Sequence, residues 1–137
     1  MKIAVLGGDG FCGWPTSLHL SDQGHEVHIV DNLSRRWIDT ELGVQSLTPM
    51  DSIQERTRIW HQETGRRIRF HLLDLAKDYE ILKAWLAEHR PDAVIHFAAS
   101  KSVAESVQQP LKYYRNNIVS LMNLLEAMAA HGTGPIV

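Results

Sequence analysis

The chain has 137 residues, a formal net charge of −2 at pH 7 and a single cysteine. This length suits one compact domain, and 44% hydrophobic with 22% charged residues is typical of a globular protein. The near-neutral charge excludes an electrostatic basis for binding nucleic acid or anionic membranes. No apolar run approaches the roughly 20 residues of a membrane helix. Cys12 alone can form neither an internal disulfide nor a cysteine zinc site. Together these features predict a cytoplasmic protein without nucleic-acid or membrane partners.

Short β-rich runs alternate with longer helical patterns along the whole chain. The predicted strands cover residues 2–6, 26–30, 69–73 and 93–97, and residues 135–137 resemble the start of a fifth. The predicted helices cover about 14–23, 52–63, 78–90 and 110–131. This alternation implies a parallel sheet covered on both faces, and right-handed crossovers make it doubly wound. We therefore predict one α/β domain, residues 1–137, truncated after about four and a half strands, with its ligand at the carboxyl ends of the strands.

Two of these helices carry sharper local signals. Asp51 or Ser52 is placed to cap the helix that runs to about residue 63. Asp78 is placed to cap the following helix. The residues of that helix expected to face inward are Ile81, Leu82, Trp85 and Leu86.

The strongest chemical signal is the loop at residues 7–13, which reads Gly-Gly-Asp-Gly-Phe-Cys-Gly between a predicted strand and a predicted helix. A diphosphate can rest on a helix N-terminus only where no side chain covers the backbone amides. Gly7 permits the tight turn, Gly10 lets a pyrophosphate approach, and Gly13 lets helix and strand pack closely. The glycines fit GxGxxG from Gly8 or GxxGxxG from Gly7, and a plain structural turn is the alternative.

Asp31 ends the second predicted strand, where a carboxylate can accept hydrogen bonds from both adenosine ribose hydroxyls. Its charge would repel a 2′-phosphate, so the sequence favours NAD over NADP. Arg35 and Arg36 follow closely and are the residue type that a 2′-phosphate prefers, which keeps NADP as the alternative. A turn-capping aspartate is the structural alternative.

Two further strand ends carry candidate residues. Asp74 and Leu75 follow the third predicted strand and could frame an adenine, with a turn aspartate as the alternative. The small residues Ala98 and Ala99 follow the fourth and let the chain pass close to a cofactor. His96 is expected to be a core histidine with its hydrogen bonds satisfied rather than a base.

These motifs resemble the extended short-chain dehydrogenase/reductase superfamily, of the NAD-dependent epimerase/dehydratase type. Residues 1–98 resemble UDP-sulfoquinovose synthase through segments 7–14, 31–36 and 42–49. Residues 96–130 resemble UDP-glucose 4-epimerase through segments 96–107 and 110–117. The Glu-Gln-Arg-Ser-Ala-Pro-like segment of the synthase is absent after position 97. The chain is either an intermediate family member or a junction of two relatives.

The resemblance implies a bound NAD and assigns roles to individual residues. The diphosphate loop comprises Gly7, Gly10, Phe11, Cys12 and Gly13, with Cys12 as a small packed residue rather than a nucleophile. The ribose and phosphate residues are Asp31, Asn32 and Arg35. The adenine is flanked by Asp74 and Leu75. The residues on the nicotinamide side are Phe97, Ala98 and Ala99, with Lys101 and Asn117 also facing the cofactor.

The superfamily performs its proton chemistry with a Tyr-x-x-x-Lys pair after the fifth strand. Tyr79 and Lys83 have this spacing but precede the fourth predicted strand, so we interpret them as a chance match. The resemblance therefore implies the NAD-binding portion of an enzyme that transiently oxidises a UDP-sugar, with no catalytic residue in this chain. A homodimer is one candidate assembly of the full-length parent. A non-catalytic dinucleotide-binding module and an engineered chimera are the alternatives.

Overall fold

A computed structural model describes residues 1–45 and 47–137 and contains a four-stranded parallel sheet in the order β3-β2-β1-β4. The strands are β1 (Lys2–Leu6), β2 (Glu26–Asp31), β3 (Ile68–Leu72) and β4 (Ala93–His96). Beyond β4, Val94 forms a parallel bridge with Ile136, and the amide of Val137 donates to the carbonyl of Val94 at 3.0 Å. The order reverses direction between β1 and β4, which is the switch point of a doubly wound sheet. The predicted α/β fold is confirmed.

Helices cover both faces of this sheet. They are α1 (Gly13–Asp22), α2 (Ser34–Glu41), α3 (Ile53–Thr64), α4 (Tyr79–His89), α5 (Val103–Gln108), α6 (Pro110–Tyr113) and α7 (Ser120–His131), with a π-helical segment, Tyr114–Val119, joining α6 to α7. The sequence predicted all but α2 and α5 as helical. These two helices have only 8 and 6 residues and no buried side chain. Both are shorter than the window of about 11–18 residues over which a helical apolar period is recognised.

The predicted helix caps have different outcomes. Ser52 caps α3, since its hydroxyl accepts from the amide of Glu55 at 3.2 Å. Asp78 occupies the N-cap position of α4 but makes no cap hydrogen bond there. Its carboxylate instead accepts from the amide of Asp74 at 2.9 Å, so it stabilises the turn before the helix. The prediction of a capping Asp78 side chain is therefore wrong.

The core consists of two layers, one on each face of the sheet. One layer packs α4 and α7 on residues such as Leu6 and Val94, and the other packs α1 and α3 on residues such as Val5 and Ile29. The prediction that Ile81 faces inward is wrong, because this side chain is 59% exposed. It lies roughly 90° around α4 from the centre of the buried stripe formed by Leu82, Trp85 and Leu86.

None of the helices in the described part of the chain combines the length and the apolar character needed to cross a membrane.

Candidate functional site

A cleft of about 290 Å³ lies at the carboxyl ends of the four strands. The predicted site residues that line it are Gly7, Gly10, Phe11, Cys12, Gly13, Asp31, Asn32, Arg35, Asp74, Leu75, Phe97, Ala98, Ala99 and Lys101. The lining residues that sequence reasoning missed are Asp9, Val30, Ser34, Leu73, Ala76, Asn116 and Ser120. Tyr79 and Lys83 are not among the described residues that line the cleft. The sheet order thus brings four separate strand ends together around one cavity.

The glycine loop forms the floor of this cleft. Gly7 has a φ of +78°, and a Cβ there would lie 2.7 Å from the amide nitrogen of Ala98. A Cβ on Gly13 would lie 2.2 Å from the carbonyl oxygen of Gly7, whereas one on Gly10 would meet only that oxygen, at 3.2 Å. Gly8 does not line the cleft, and it packs closely on the side chain of Ile29. The geometry therefore matches the GxxGxxG spacing that starts at Gly7.

The start of α1 offers unpaired backbone donors. The amides of Phe11, Cys12 and Gly13 have no acceptor within residues 1–45 and 47–137. Donors at a helix N-terminus, aligned with the helix dipole, suit an anion such as a diphosphate. Cys12 is exposed and lines the cleft, so the expectation of a packed residue is wrong. A small side chain at this point leaves the amides accessible.

Asp31 is held in place by two backbone donors. Its Oδ2 accepts from the amide of Asp9 at 3.0 Å, and its Oδ1 accepts from the amide of Leu33 at 2.8 Å. Burial raises the pKa of Asp31 above its usual value, and these two hydrogen bonds oppose that rise. Each carboxylate oxygen keeps a further lone pair. The side chain can therefore accept hydrogen bonds from hydroxyl groups in the cleft.

A buried ion cluster lies behind the glycine loop. The carboxylate of Asp9 is 4% exposed and accepts from Arg36 Nε at 2.7 Å and Arg36 Nη2 at 3.0 Å. It also accepts from Arg56, whose guanidinium lies 4.4 Å above the centre of the Trp14 ring. The cluster ties α2 and α3 to the loop. Arg36 is paired within this cluster, whereas the neighbouring Arg35 lines the cleft.

Hydrogen bonds also fix the loop that follows β3. Asn32 donates to Asp74 Oδ2 at 3.2 Å, and the amide of Ala76 donates to Asp74 Oδ1 at 3.0 Å. Burial by itself would raise the pKa of Asp74, but these bonds and the ammonium of Lys77 outweigh it and lower the pKa. Asp74 therefore remains charged at the cleft edge. It links the loops after β2 and β3.

The segment from the π-helix into α7 positions the remaining walls of the cleft. Asn117 does not line the cleft as predicted, because its amide group is bonded to the backbone of Ser100 at 2.8 and 2.9 Å. Its neighbour Asn116 lines the cleft instead. Farther along, Asn123 donates to the carbonyl of Leu75 at 2.8 Å. The π-helical turn that carries both asparagines is a rare feature found often at functional sites.

His96 does not match its prediction completely. It is partly buried at the end of β4 rather than a member of the core, and burial lowers its pKa. Its Nδ1 atom, however, is buried without a hydrogen-bond partner in the described part of the chain. The expectation that its hydrogen bonds are satisfied is therefore wrong for this nitrogen. Nothing in the geometry of this side chain explains the unpaired atom.

A parallel sheet with this order, a glycine turn leading into a helix and an acidic residue after β2 together define a Rossmann-like dinucleotide-binding fold. The family model for GDP-mannose 4,6 dehydratase matches residues 4–136. The chain belongs to this family, within the extended short-chain dehydrogenase/reductase superfamily.

Individual relatives agree with this assignment. The chain is 42% identical over 130 residues to the chloroplastic UDP-sulfoquinovose synthase of Spinacia oleracea, covering 93% of this chain and 27% of that protein. It is 40% identical over 136 residues to the UDP-glucose 4-epimerase of Neisseria meningitidis serogroup B, covering 99% and 35%. The crystal structure of the Bifidobacterium longum UDP-glucose 4-epimerase with NAD⁺ and UDP superimposes with a TM-score of 0.79 at 31% identity, covering 99% of this chain and 36% of that one.

The chain therefore spans between about a quarter and about a third of the length of the relatives that it matches. Each alignment runs across nearly the whole chain, so none of them ends at the change of resemblance near position 98.

Proposed function

We propose that this chain is the NAD-binding portion of an enzyme that transiently oxidises a UDP-sugar. The observation that carries the proposal is the position of Asp31, which ends β2 at the edge of a cleft whose floor is the glycine loop. The loop amides would bind the diphosphate, and Asp31 would bind the adenosine ribose. The solved Bifidobacterium relative with the same fold contains NAD⁺ and UDP, which supports this cofactor and substrate class.

The remaining cleft residues receive roles from their positions in this proposal. Asn32 and Arg35 lie beside Asp31 and would contact ribose and phosphate. Asp74 and Leu75 would flank the adenine. The residues proposed for the nicotinamide side are Phe97, Ala98, Ala99 and Lys101. Asn117 would act through Ser100, whose backbone it holds, instead of contacting the cofactor.

Charge supports NAD over NADP. A 2′-phosphate would approach the carboxylate of Asp31 and would be repelled by it. Arg36, which could have compensated that charge, is paired with Asp9. Arg35 lines the cleft beside Asp31 and is the candidate ligand for a 2′-phosphate. NAD⁺ is therefore the expected ligand.

Titration of the purified chain with NAD⁺ and NADP⁺ tests this proposal. We expect tighter NAD⁺ binding, and Asp31→Ala should weaken it by about 1–3 kcal/mol, roughly 5- to 150-fold in Kd, because hydrogen-bonding groups lose their partner. Asp51→Ala, at an exposed site before α3, is the matched control and should bind as the wild type does. Equal or tighter NADP⁺ binding would show that Arg35 dominates. Unchanged NAD⁺ affinity in Asp31→Ala would refute the ribose role.

The reaction of the whole enzyme has two candidates, sulfoquinovose synthesis and 4-epimerisation. Sequence identities of 42% and 40% to the two kinds of relative do not separate them. The parent gene product, incubated with NAD⁺ and UDP-glucose with and without sulfite, distinguishes the two by its product. A protein that binds NAD⁺ and forms neither product would instead be a dinucleotide-binding module.

Assembly and location complete the proposal. Apolar side chains are exposed along the α6–α7 segment, including Leu111, Ile118, Leu121, Met122 and Leu125. A second copy of the chain packing on this surface would give a homodimer, which light scattering would detect. The cytoplasm is the location that the composition favours, and fractionation of cells expressing the full-length protein would test it.

A further inference from the structure

Three histidine side chains converge on the sheet face beneath α4, away from the cleft. His28 lies on β2, His71 on β3, and His89 ends α4. None of them is among the described residues that line the cleft. The carbonyl of His89 accepts from Lys2 Nζ at 2.6 Å, which places the cluster toward the amino ends of the strands. The cofactor proposal leaves these side chains without a role.

The spacing of the three imidazoles suits a shared metal ion. The Nδ1 atom of His28 lies 3.0 Å from the Nε2 atom of His71. One ring nitrogen from each of the three histidines lies within 4.8 Å of the others. A tetrahedral Zn²⁺ with bonds of 2.0–2.1 Å holds its ligand nitrogens about 3.3 Å apart. His28 and His71 already have about this separation, and a shift of the His71 proton from Nε2 to Nδ1, together with a modest movement of His89, would complete the set.

The outer nitrogens of two of these rings are already oriented as in metal sites. His28 Nε2 donates to the carboxylate of Glu26 at 3.1 Å, and His89 Nδ1 donates to the carbonyl of Trp85 at 3.0 Å. Both acceptors require a proton on the nitrogen that faces them, so the other nitrogen of each ring carries a lone pair. Histidine ligands of metals almost always donate to a carboxylate or carbonyl in this way. The indole of Trp85 also stacks on the His89 ring, with centres 4.7 Å apart.

We propose that His28, His71 and His89 form a binding site for a divalent transition-metal ion, with Zn²⁺ as the ion best suited to three neutral imidazoles and with a fourth position open to water. His28 is buried, whereas His71 and His89 are partly exposed and provide an entry path. Burial, together with the neighbouring His28, His89 and Arg69, lowers the pKa of His71 to about 4. The imidazole is therefore neutral near pH 7, which is the form that binds metal.

Two neighbouring charges act in opposite directions on such an ion. The carboxylate of Glu26 raises the basicity of His28 and attracts a cation. The guanidinium of Arg69 lies 3.2 Å from His28 Nε2 and repels a cation, although it is paired with Glu26 at the surface. Removing the charge of Glu26 should therefore weaken metal binding, and removing that of Arg69 should strengthen it. A histidine cluster that only packs would show neither effect.

Calorimetric titration of the metal-free chain with Zn²⁺ at pH 7.5 tests the proposal. We expect one ion per chain. Glu26→Gln should weaken binding by about 10- to 100-fold, as expected for an outer partner of a ligand, and His89→Gln should weaken it further. Arg69→Gln should tighten binding. His131→Gln, at an exposed position on α7, is the matched control and should leave the affinity unchanged.

Undiminished Zn²⁺ binding in His89→Gln, or no binding by the wild type, would overturn the proposal and leave a packed histidine cluster. If His89→Gln does not fold, the wild type still decides the question through its ¹⁵N imidazole resonances. Zn²⁺ should shift the ring nitrogens of His28, His71 and His89 and leave those of His131 in place. A shift of the His131 ring nitrogens without a shift of those of the three clustered histidines would refute the site. Neither measurement depends on NAD or on activity.

Discussion

The same substitution at two glycines of the loop should separate cofactor binding from folding. At Gly10 a Cβ meets only the carbonyl oxygen of Gly7, at 3.2 Å, and the rest of a valine side chain would project into the cleft. The φ of Gly10 lies outside the left-handed region, so valine adds little backbone strain. At Gly13 the Cβ would lie 2.2 Å from the same oxygen and 2.6 Å from the Cα of Gly8. Those are backbone atoms, and the turn after β1 must therefore move.

These Cβ distances predict different effects of the two substitutions on the free energy of unfolding and on NAD⁺ binding. Gly13→Val should lower the free energy of unfolding by about 3 kcal/mol or more, at or beyond the upper range for an overpacked core site. Gly10→Val should lower it by less than about 1 kcal/mol but raise the Kd for NAD⁺ at least tenfold, or about 1.4 kcal/mol, because the side chain occupies the path of the diphosphate.

Urea unfolding monitored by circular dichroism and calorimetric NAD⁺ titration, applied to both variants, check these values. Normal NAD⁺ binding by Gly10→Val would show that the loop is only a structural turn, and the proposed function would fail with it. Wild-type stability of Gly13→Val would show that the loop relaxes more easily than the contacts imply.

Three further predictions concern the ion cluster, the pH dependence and turnover. Asp9→Ala leaves the buried guanidinium of Arg56 without its carboxylate and should lower the free energy of unfolding by about 3–5 kcal/mol. Glu55→Ala, which breaks the exposed pair with Arg58, should change the free energy of unfolding little. Urea unfolding compares the two variants, and similar losses of stability would contradict the reasoning. The folded-state pKa values of His28 and His71 lie below the ordinary 6.5, with His71 at about 4. Between pH 6.5 and pH 4 the unfolded chain therefore binds more protons than the folded chain. The free energy of unfolding should fall as the pH drops from about 6.5 toward 4. Unfolding at pH 7.5, 6 and 5 measures this loss, and His71→Phe should reduce it whereas His131→Gln should not; an equal pH slope in all three proteins would rule out the histidine cause. The chain alone should form no product from NAD⁺ and UDP-glucose, with or without sulfite. The reason is that Tyr79 and Lys83 lie outside the cleft and the sequence has no other Tyr-x-x-x-Lys pair. Product above the level of a control without protein would contradict this prediction.

Much of the cleft could be predicted because its signals are local. Each strand ends at or before residues of a recognisable type, such as the glycines after β1 or Asp31 at the end of β2. Parallel strands place their carboxyl ends along one edge of the sheet. The fold class followed for the same reason, since strand and helix periods are properties of short segments. The errors at Ile81 and Asp78 arose within correctly predicted elements. There the spacing was right, but the packing partner was not visible in the sequence.

Other features depended on residues that only the tertiary structure brings together. Asp9 and Arg56 are far apart in sequence and pair because α3 packs against the sheet beside the glycine loop. Asn117 is bonded to the backbone of Ser100, which only the approach of the π-helical segment to the loop after β4 brings within reach.

The sequence by itself determined an α/β domain with an anion-binding glycine loop and an acidic residue beside it, because these follow from short-range periodicity and from the steric needs of a turn. The three-histidine cluster could not be predicted from the sequence. Its members come from β2, β3 and the end of α4, and they meet only because β3 lies next to β2 in the sheet and α4 crosses over both. Convergence of side chains from separate elements depends on strand order and helix packing, which no local pattern encodes.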